Sequence, residues 1–213
     1  MRLLAQELLV KTGDVDHADW NYRLLLGWIQ RLRFGLVKSL LSDIKCQRIL
    51  EVGYGSGIFM PELKSHCEEL FGVDVHDKLD EVQSALSRMG VSANLYSGGV
   101  EHTIFADNYF DCVVAVSALE FVYDITAACR EIRRILKPDG FLIVVTPGYS
   151  KILDMGLKIL TGENARRDFE GRRELLLPAL LEGFSVSAAL VQPPILGRYV
   201  QLYNALKLNP MHV

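Results

Sequence analysis

The chain has 213 residues, 50% of them hydrophobic, and a formal net charge of -3 from 23 basic and 26 acidic side chains. That length suits one α/β domain with appendages rather than two full domains, and the near-balance of charge lacks the footprint of sequence-independent nucleic-acid binding. Cys46, Cys67, Cys112 and Cys129 stand singly and read as reduced core cysteines of a cytosolic protein; the N-terminus is a poor signal peptide, and no apolar run reaches the roughly 18 residues of a membrane-spanning helix.

In chain order, Asp19 is suited to cap a long helix through about Ser42, with Trp20, Leu24, Trp28, Leu32, Leu36 and Leu40 recurring at about every fourth position as core packing. Residues 48–57 then read as a buried strand (Ile49, Leu50, Val52) running into a glycine-rich turn at Gly53, Gly55 and Gly57. Residues 58–67 fit a helix, 70–75 a second strand and 78–89 a helix with Leu79, Val82, Leu86 and Met89 on one face. A short third strand is expected at 93–96, and 112–116 is apolar throughout, as a strand covered on both faces would be. Asp124 is positioned to cap a helix over 125–137 that Pro138-Asp139-Gly140 stops, and 141–145 is the next buried strand. Beyond Thr146 come a lysine-bearing apolar segment (150–160), an arginine-rich stretch (165–173), a segment 174–181, and two late strands at 185–191 and 199–206 expected to pair antiparallel.

This β-α alternation predicts a mostly parallel sheet whose ligands gather at the carboxyl ends of its strands, where the glycine turn, Asp74, the Gly98-Gly99 loop and Ser117 all fall. The dinucleotide fingerprint G-x-G-x-x-G does not fit: its third glycine falls on Ile58 counted from Gly53 and on Met60 counted from Gly55. Glu51, just before the first glycine, would repel a pyrophosphate and accept an ammonium group. Asp74, at the end of the second strand, can accept hydrogen bonds from both hydroxyls of a ribose. A ligand with a ribose and an α-amino group points to S-adenosylmethionine.

With these stretches in hand, Ile49-Leu50-Glu51-Val52-Gly53-Tyr54-Gly55-Ser56-Gly57, Gly72-Val73-Asp74-Val75, residues 105–111 and residues 130–140 resemble the successive motifs of class I S-adenosylmethionine-dependent methyltransferases, in the small-molecule branch that includes quinone-pathway enzymes. The resemblance implies an α/β, Rossmann-like methyltransferase fold: a seven-stranded mostly parallel sheet with a C-terminal antiparallel hairpin and helices on both faces. It implies a single domain divided into an N-terminal helical arm (1–47), a cofactor-binding core (48–147), a helical insertion (148–182) and final strands (183–213). The residues implied to contact the cofactor are Glu51, Gly53, Tyr54, Gly55, Gly57, Asp74, Val75, Val100, Glu101 and Ser117, with Asp74 on the ribose and Val100 and Glu101 beside the adenine. The chain departs from the family pattern at Gly99, where an acid is common, at Phe121 in Leu119-Glu120-Phe121, where a histidine is common, and at Tyr54, where a small residue or cysteine is common.

The implied reaction needs donor and acceptor held in line and water excluded, and no catalytic side chain is obligatory. Glu120, His76, His102 and Tyr149 fall near strand ends, but neither spacing nor partners single one out as a general base. The acceptor, a small molecule of apolar or anionic character, is expected to meet the helix carrying Trp20, Tyr22 and Trp28 and the insertion at 149–181, where Arg166, Arg167, Arg172 and Arg173 either bind an anionic group or form a solvated face. Two other readings compete: a non-catalytic methyltransferase-like binding module, and a nicotinamide-dependent oxidoreductase, against which the glycine spacing argues.

Overall fold

A computed structural model of the chain describes residues 1–13, 16–148, 172–193 and 201–211, the side chains of Leu25, Arg172 and Arg173 excepted. The expectations for residues 150–160, Tyr149, Arg166 and Arg167 lie outside the described residues, as do the arginine side chains at 172 and 173. Seven strands, β1 (Cys46–Val52), β2 (Cys67–Asp74), β3 (Asn94–Ser97), β4 (Phe110–Val116), β5 (Leu136–Pro147), β6 (Phe184–Gln192) and β7 (Tyr203–Pro210), form one sheet in the order β3-β2-β1-β4-β5-β7-β6. The first five strands pair in parallel, and β7 lies antiparallel between β5 and β6. This is the sheet expected from the β-α alternation and the late strand pair.

Alternate residues of each strand feed opposite apolar layers, because successive side chains point to opposite faces. Ile49, Cys112, Val114, Ile143 and Val145 share a layer with α1 (Leu24–Leu40) and α3 (Leu79–Arg88). Leu50, Val113, Ala115, Leu142 and Val144 share the other with α4 (Ile125–Ile135) and α5 (Arg172–Gly183). The unbroken apolar run of β4 is thus covered on both sides. No helix among the described residues is long and apolar enough to cross a membrane.

Several boundaries differ from the sequence expectation. The long helix does not start at Asp19: Ala18–Tyr22 is a 3-10 turn, Arg23 is extended (φ -77, ψ 141), and α1 begins at Leu24. Asp19 pairs instead with Arg23 at 2.9 Å. Nor is the four-residue stripe the inner face. Each step of four advances about 40° around a helix of 3.6 residues per turn, so Leu24 and Leu40 end up about 160° apart. Leu24 is 99% exposed and Trp28 60%, while Phe34, Leu36, Val37, Leu40 and Leu41 are buried.

The segment after the glycine turn makes only a short α2 (Met60–Leu63) and a 3-10 turn, and β2 starts at Cys67 rather than residue 70. Helix α4, capped by Asp124 accepting from the Ala127 amide at 2.8 Å, stops at Ile135 instead of Lys137. Its last carbonyls, on Arg134 and Ile135, are taken by the amides of Asn108 and Tyr109 at 3.0 and 2.8 Å, which frees Leu136 to pair with Phe110 in the sheet. The final strand begins at Tyr203, four residues beyond the expected start.

Gly72 on β2 leaves the space that the ring of Tyr54 uses. A Cβ there would come within 2.5 Å of Met60 Cε, 2.7 Å of Tyr54 Cδ1 and 3.0 Å of Leu95 Cδ2. Gly72→Ala is therefore expected to destabilise the fold by about 1–3 kcal/mol through overpacking, read as a lower urea midpoint; an unchanged midpoint would show that the Tyr54 pocket is not tight.

Candidate functional site

The strand order reverses between β1 and β4, and open α/β sheets take ligands in the crevice above such a point. The chain leaves β1 there through Gly53, whose amide donates to Val73 O at 2.9 Å and whose φ is +72. A Cβ on Gly53 would lie 2.5 Å from that of Ala118, just past β4, so only glycine allows the loop to cross at this height. Gly55, also left-handed at φ +48, donates its amide to Asp74 Oδ2 at 2.7 Å, and Gly57 (φ +71) closes the turn onto Tyr54 O at 2.8 Å.

Two acids flank this turn. Glu51 is 4% exposed, and its Oε2 is buried without a hydrogen-bond partner. Burial raises its pKa well above the usual carboxylate range; the nearby Asp74 charge adds to the effect and Arg33 of α1 opposes it. Asp74, ending β2, accepts from Gly55 through Oδ2 and from the Val75 amide through Oδ1 at 2.7 Å, which fixes the carboxylate plane. Val75 next to it is 78% exposed. Ser117, just past β4, is left-handed (φ +52); its N–H donates to Val145 O at 2.8 Å, and its Oγ is buried and unpartnered.

The remaining expected residues divide. Val100 is buried in the layer beneath the loop after β3. Glu101 turns a carboxylate oxygen to within 2.5 Å of where a Cβ on Gly99 would sit, so an acid occupies the space beside position 99 although that residue has no side chain. Tyr54 points the other way, into the core at 2% exposure, and can offer the site its backbone only. The aromatic trio of the N-terminal arm does not converge: Trp20 is buried and stacked on His17 at 4.1 Å, Tyr22 donates its hydroxyl to Leu4 O, and Trp28 faces outward.

Among the general-base candidates, His102 is exposed, while His76 has both ring nitrogens engaged with backbone groups: Nε2 with Gly55 O at 3.1 Å and Nδ1 with the Lys78 amide at 3.1 Å. Glu120 is 1% exposed.

Arg33 and Tyr203 escaped the sequence reading. Arg33 Nε is buried and makes no hydrogen bond, and its guanidinium lies 4.8 Å over the Phe34 ring. Burial raises the Tyr203 phenol pKa, Arg33 lowers it and Glu120 raises it, so these three share one electrostatic neighbourhood with Glu51. Buried polar atoms without protein partners include Glu51 Oε2 on β1, Ser56 Oγ in the glycine turn, Ser117 Oγ just past β4 and Arg33 Nε on α1. Folded proteins leave few such atoms unpaired, so each calls for a partner, whether water or a ligand. With two carboxylates at its rim, a left-handed glycine turn and one cation, the site fits a ligand having a hydroxylated ring and a cationic, hydrogen-bonding end. A cleft of about 460 Å³ between residues 7–10 and α3, lined by Leu8, Val10 and Ser84, lies outside this cluster.

A methyltransferase domain model matches residues 50–144. The ubiquinone/menaquinone biosynthesis C-methyltransferase of Haemophilus ducreyi is 35% identical over 107 residues, 47% of this chain and 41% of that protein. The chain spans about half the length of the curated relatives it matches. Among solved structures, the fold is shared with the [4+2]-cyclase SpnF (TM-score 0.65, 20% identity, 84% of this chain and 80% of that one). It is also shared with the N-methyltransferase NodS of Bradyrhizobium japonicum in complex with S-adenosylhomocysteine (TM-score 0.62, 16% identity, 98% and 97%).

A carboxyl whose folded pKa is raised holds its proton more tightly in the folded state than in the unfolded one. Its contribution is most favourable below the ordinary value of 4.5 and declines as pH climbs from there toward the folded value. Glu51→Gln removes that decline. As pH rises above 4.5 the urea stability of ligand-free wild type is expected to fall relative to the variant; parallel pH profiles would mean that Glu51 stays ionised at no cost.

Proposed function

We propose, from the match of residues 50–144 to a methyltransferase domain model and the similarity to a quinone-pathway C-methyltransferase, that the chain is a class I S-adenosylmethionine-dependent methyltransferase transferring a methyl group to a small-molecule acceptor. The observation that carries the reading is the buried, unpartnered carboxylate oxygen of Glu51 beside a left-handed glycine turn whose other flank is Asp74. Such an acid calls for an ammonium group, and Asp74 keeps lone pairs for two ribose hydroxyls. When bound, the cofactor supplies a methyl carbon that its sulfonium already makes electrophilic.

The chain's own residues then bind, orient and exclude water. In this reading Gly53 and Gly55 let the backbone approach the methionine and sugar portions, Val75 offers an exposed apolar side chain to one adenine face, and Val100 and Glu101 border the adenine. Ser117 runs along the methionine portion. Arg33, beside Glu51 and with Nε unpartnered, takes the carboxylate of the same amino-acid end, so that a zwitterion is met by an opposite pair. The acceptor meets α1 and the start of β7, where Glu120 and Tyr203 supply a carboxylate and a phenol. A cytosolic location goes with this reading, supported by the four free cysteines.

Calorimetry tests these assignments. Asp74→Ala is expected to weaken S-adenosylmethionine and S-adenosylhomocysteine by about 1.5–3 kcal/mol, roughly ten- to a hundredfold. Arg33→Met should weaken S-adenosylhomocysteine yet leave methylthioadenosine, which lacks the amino-acid end, unchanged; equal loss for both ligands would remove Arg33 from the carboxylate. Stabilisation of the wild type by NAD alone would overturn the cofactor assignment. Transfer of labelled methyl into a cell extract separates an enzyme from a binding module.

A further inference from the structure

Two residues at the glycine turn remain without a role, and they touch each other. Tyr54 lies between the first two glycines, its ring buried and set edge-on to the His76 ring at 4.9 Å and 82°. Room for that ring comes from Gly72 on the adjacent strand. His76 stands two residues beyond Asp74, with its side chain 7% exposed. Since Nδ1 accepts from the Lys78 amide, the hydrogen-bond network assigns the proton to Nε2, which donates to Gly55 O at 3.1 Å. The two peptide groups of Gly55 are therefore held at once: its N–H by Asp74 at 2.7 Å and its C=O by His76. The His76 carbonyl in turn accepts from Ser97 Oγ at 3.2 Å, which ties the clamp to β3.

We propose that His76, packed on Tyr54, is a positioning residue: it holds Gly55 in the left-handed conformation that delivers its amide to Asp74, so that the carboxylate faces a ligand's ribose hydroxyls in one fixed orientation. Gly55 has φ +48, and glycine is the residue with the most backbone freedom to lose, so a loop of this kind needs fastening at more than one point. Removing the His76 contact frees one side of Gly55, lets the amide leave Asp74, and allows the carboxylate to rotate. The loss then falls on ligand groups that read the carboxylate plane. The ribose half of the proposal rests on the S-adenosylmethionine reading; the clamp itself does not.

The experiment compares wild type with His76→Gln and His76→Asn. A glutamine can place Nε2 where the histidine Nε2 stands, whereas an asparagine reaches the Lys78 amide but falls short of Gly55 O. Hydrogen exchange of the Gly55 amide, followed by NMR in the ligand-free protein, is expected to speed up about tenfold or more in His76→Asn and to stay near wild type in His76→Gln. With S-adenosylhomocysteine and its 2′-deoxyribose analogue as probes, the wild-type preference for the ribose ligand should persist in His76→Gln. In His76→Asn the preference should shrink toward one, with S-adenosylhomocysteine about tenfold weaker. Unchanged Gly55 exchange in His76→Asn overturns the clamp. Faster exchange with an undiminished ribose preference overturns its link to Asp74. Wild-type protein that binds neither probe overturns the cofactor reading, and the ribose half with it, whichever way Gly55 exchanges.

Discussion

The crossing of the chain over the point where β1 and β4 diverge sets the limit within which the rest of the site has to fit. At Gly53 the loop passes so near Ala118 that a side chain has no place, and the left-handed backbone this requires turns the following residue downward. Tyr54 consequently fills the core between β2 and α2 instead of the crevice, and Gly72 is the space it needs. The ring then backs His76, which reaches up to Gly55. One steric constraint thus propagates through four residues into the orientation of Asp74.

Electrostatics at the strand ends runs against the stability of the ligand-free protein. Glu51 and Asp74 repel each other, and Glu51 is removed from water with its Oε2 left without a hydrogen bond to offset the transfer. Arg33 answers part of that charge from α1 while keeping a buried nitrogen unpaired. Local rules of polar satisfaction are broken here and kept elsewhere, as with Asp124 on α4 and the Arg134, Glu131 and Thr103 network that ties the 103–107 loop to α4. Proteins concentrate such violations where a ligand completes the bonding.

The repeating pattern of the sheet was legible because it rests on local spacing. β4 and β5 are apolar runs flanked by turns, α4 carries its own cap and stripe, and β6 and β7 follow a clear change of pattern. The ends of elements were less so. Helix α4 yields Leu136 to the sheet because Phe110, 26 positions earlier, is its partner, and that pairing leaves no trace in a local window. The four-residue recurrence from Trp20 to Leu40 misled because the true period is shorter, and over the four steps from Leu40 back to Leu24 the drift puts Leu24 and Trp28 in solvent.

For the site, the sequence by itself determined the residues whose role depends on neighbours along the strand: Glu51 before the glycines, the three left-handed glycines, and Asp74 at the end of the next strand. Their chemistry needs only that each strand end at the same edge of the sheet, which the β-α alternation guarantees. Tertiary structure alone decided which way Tyr54 points, that both nitrogens of His76 are occupied, and that Arg33, Glu120 and Tyr203 come together. Those three lie on α1, just past β4 and on β7. Packing of α1 across the sheet and insertion of β7 beside β5 bring them within each other's field, and neither arrangement is set by the spacing of residues along the chain.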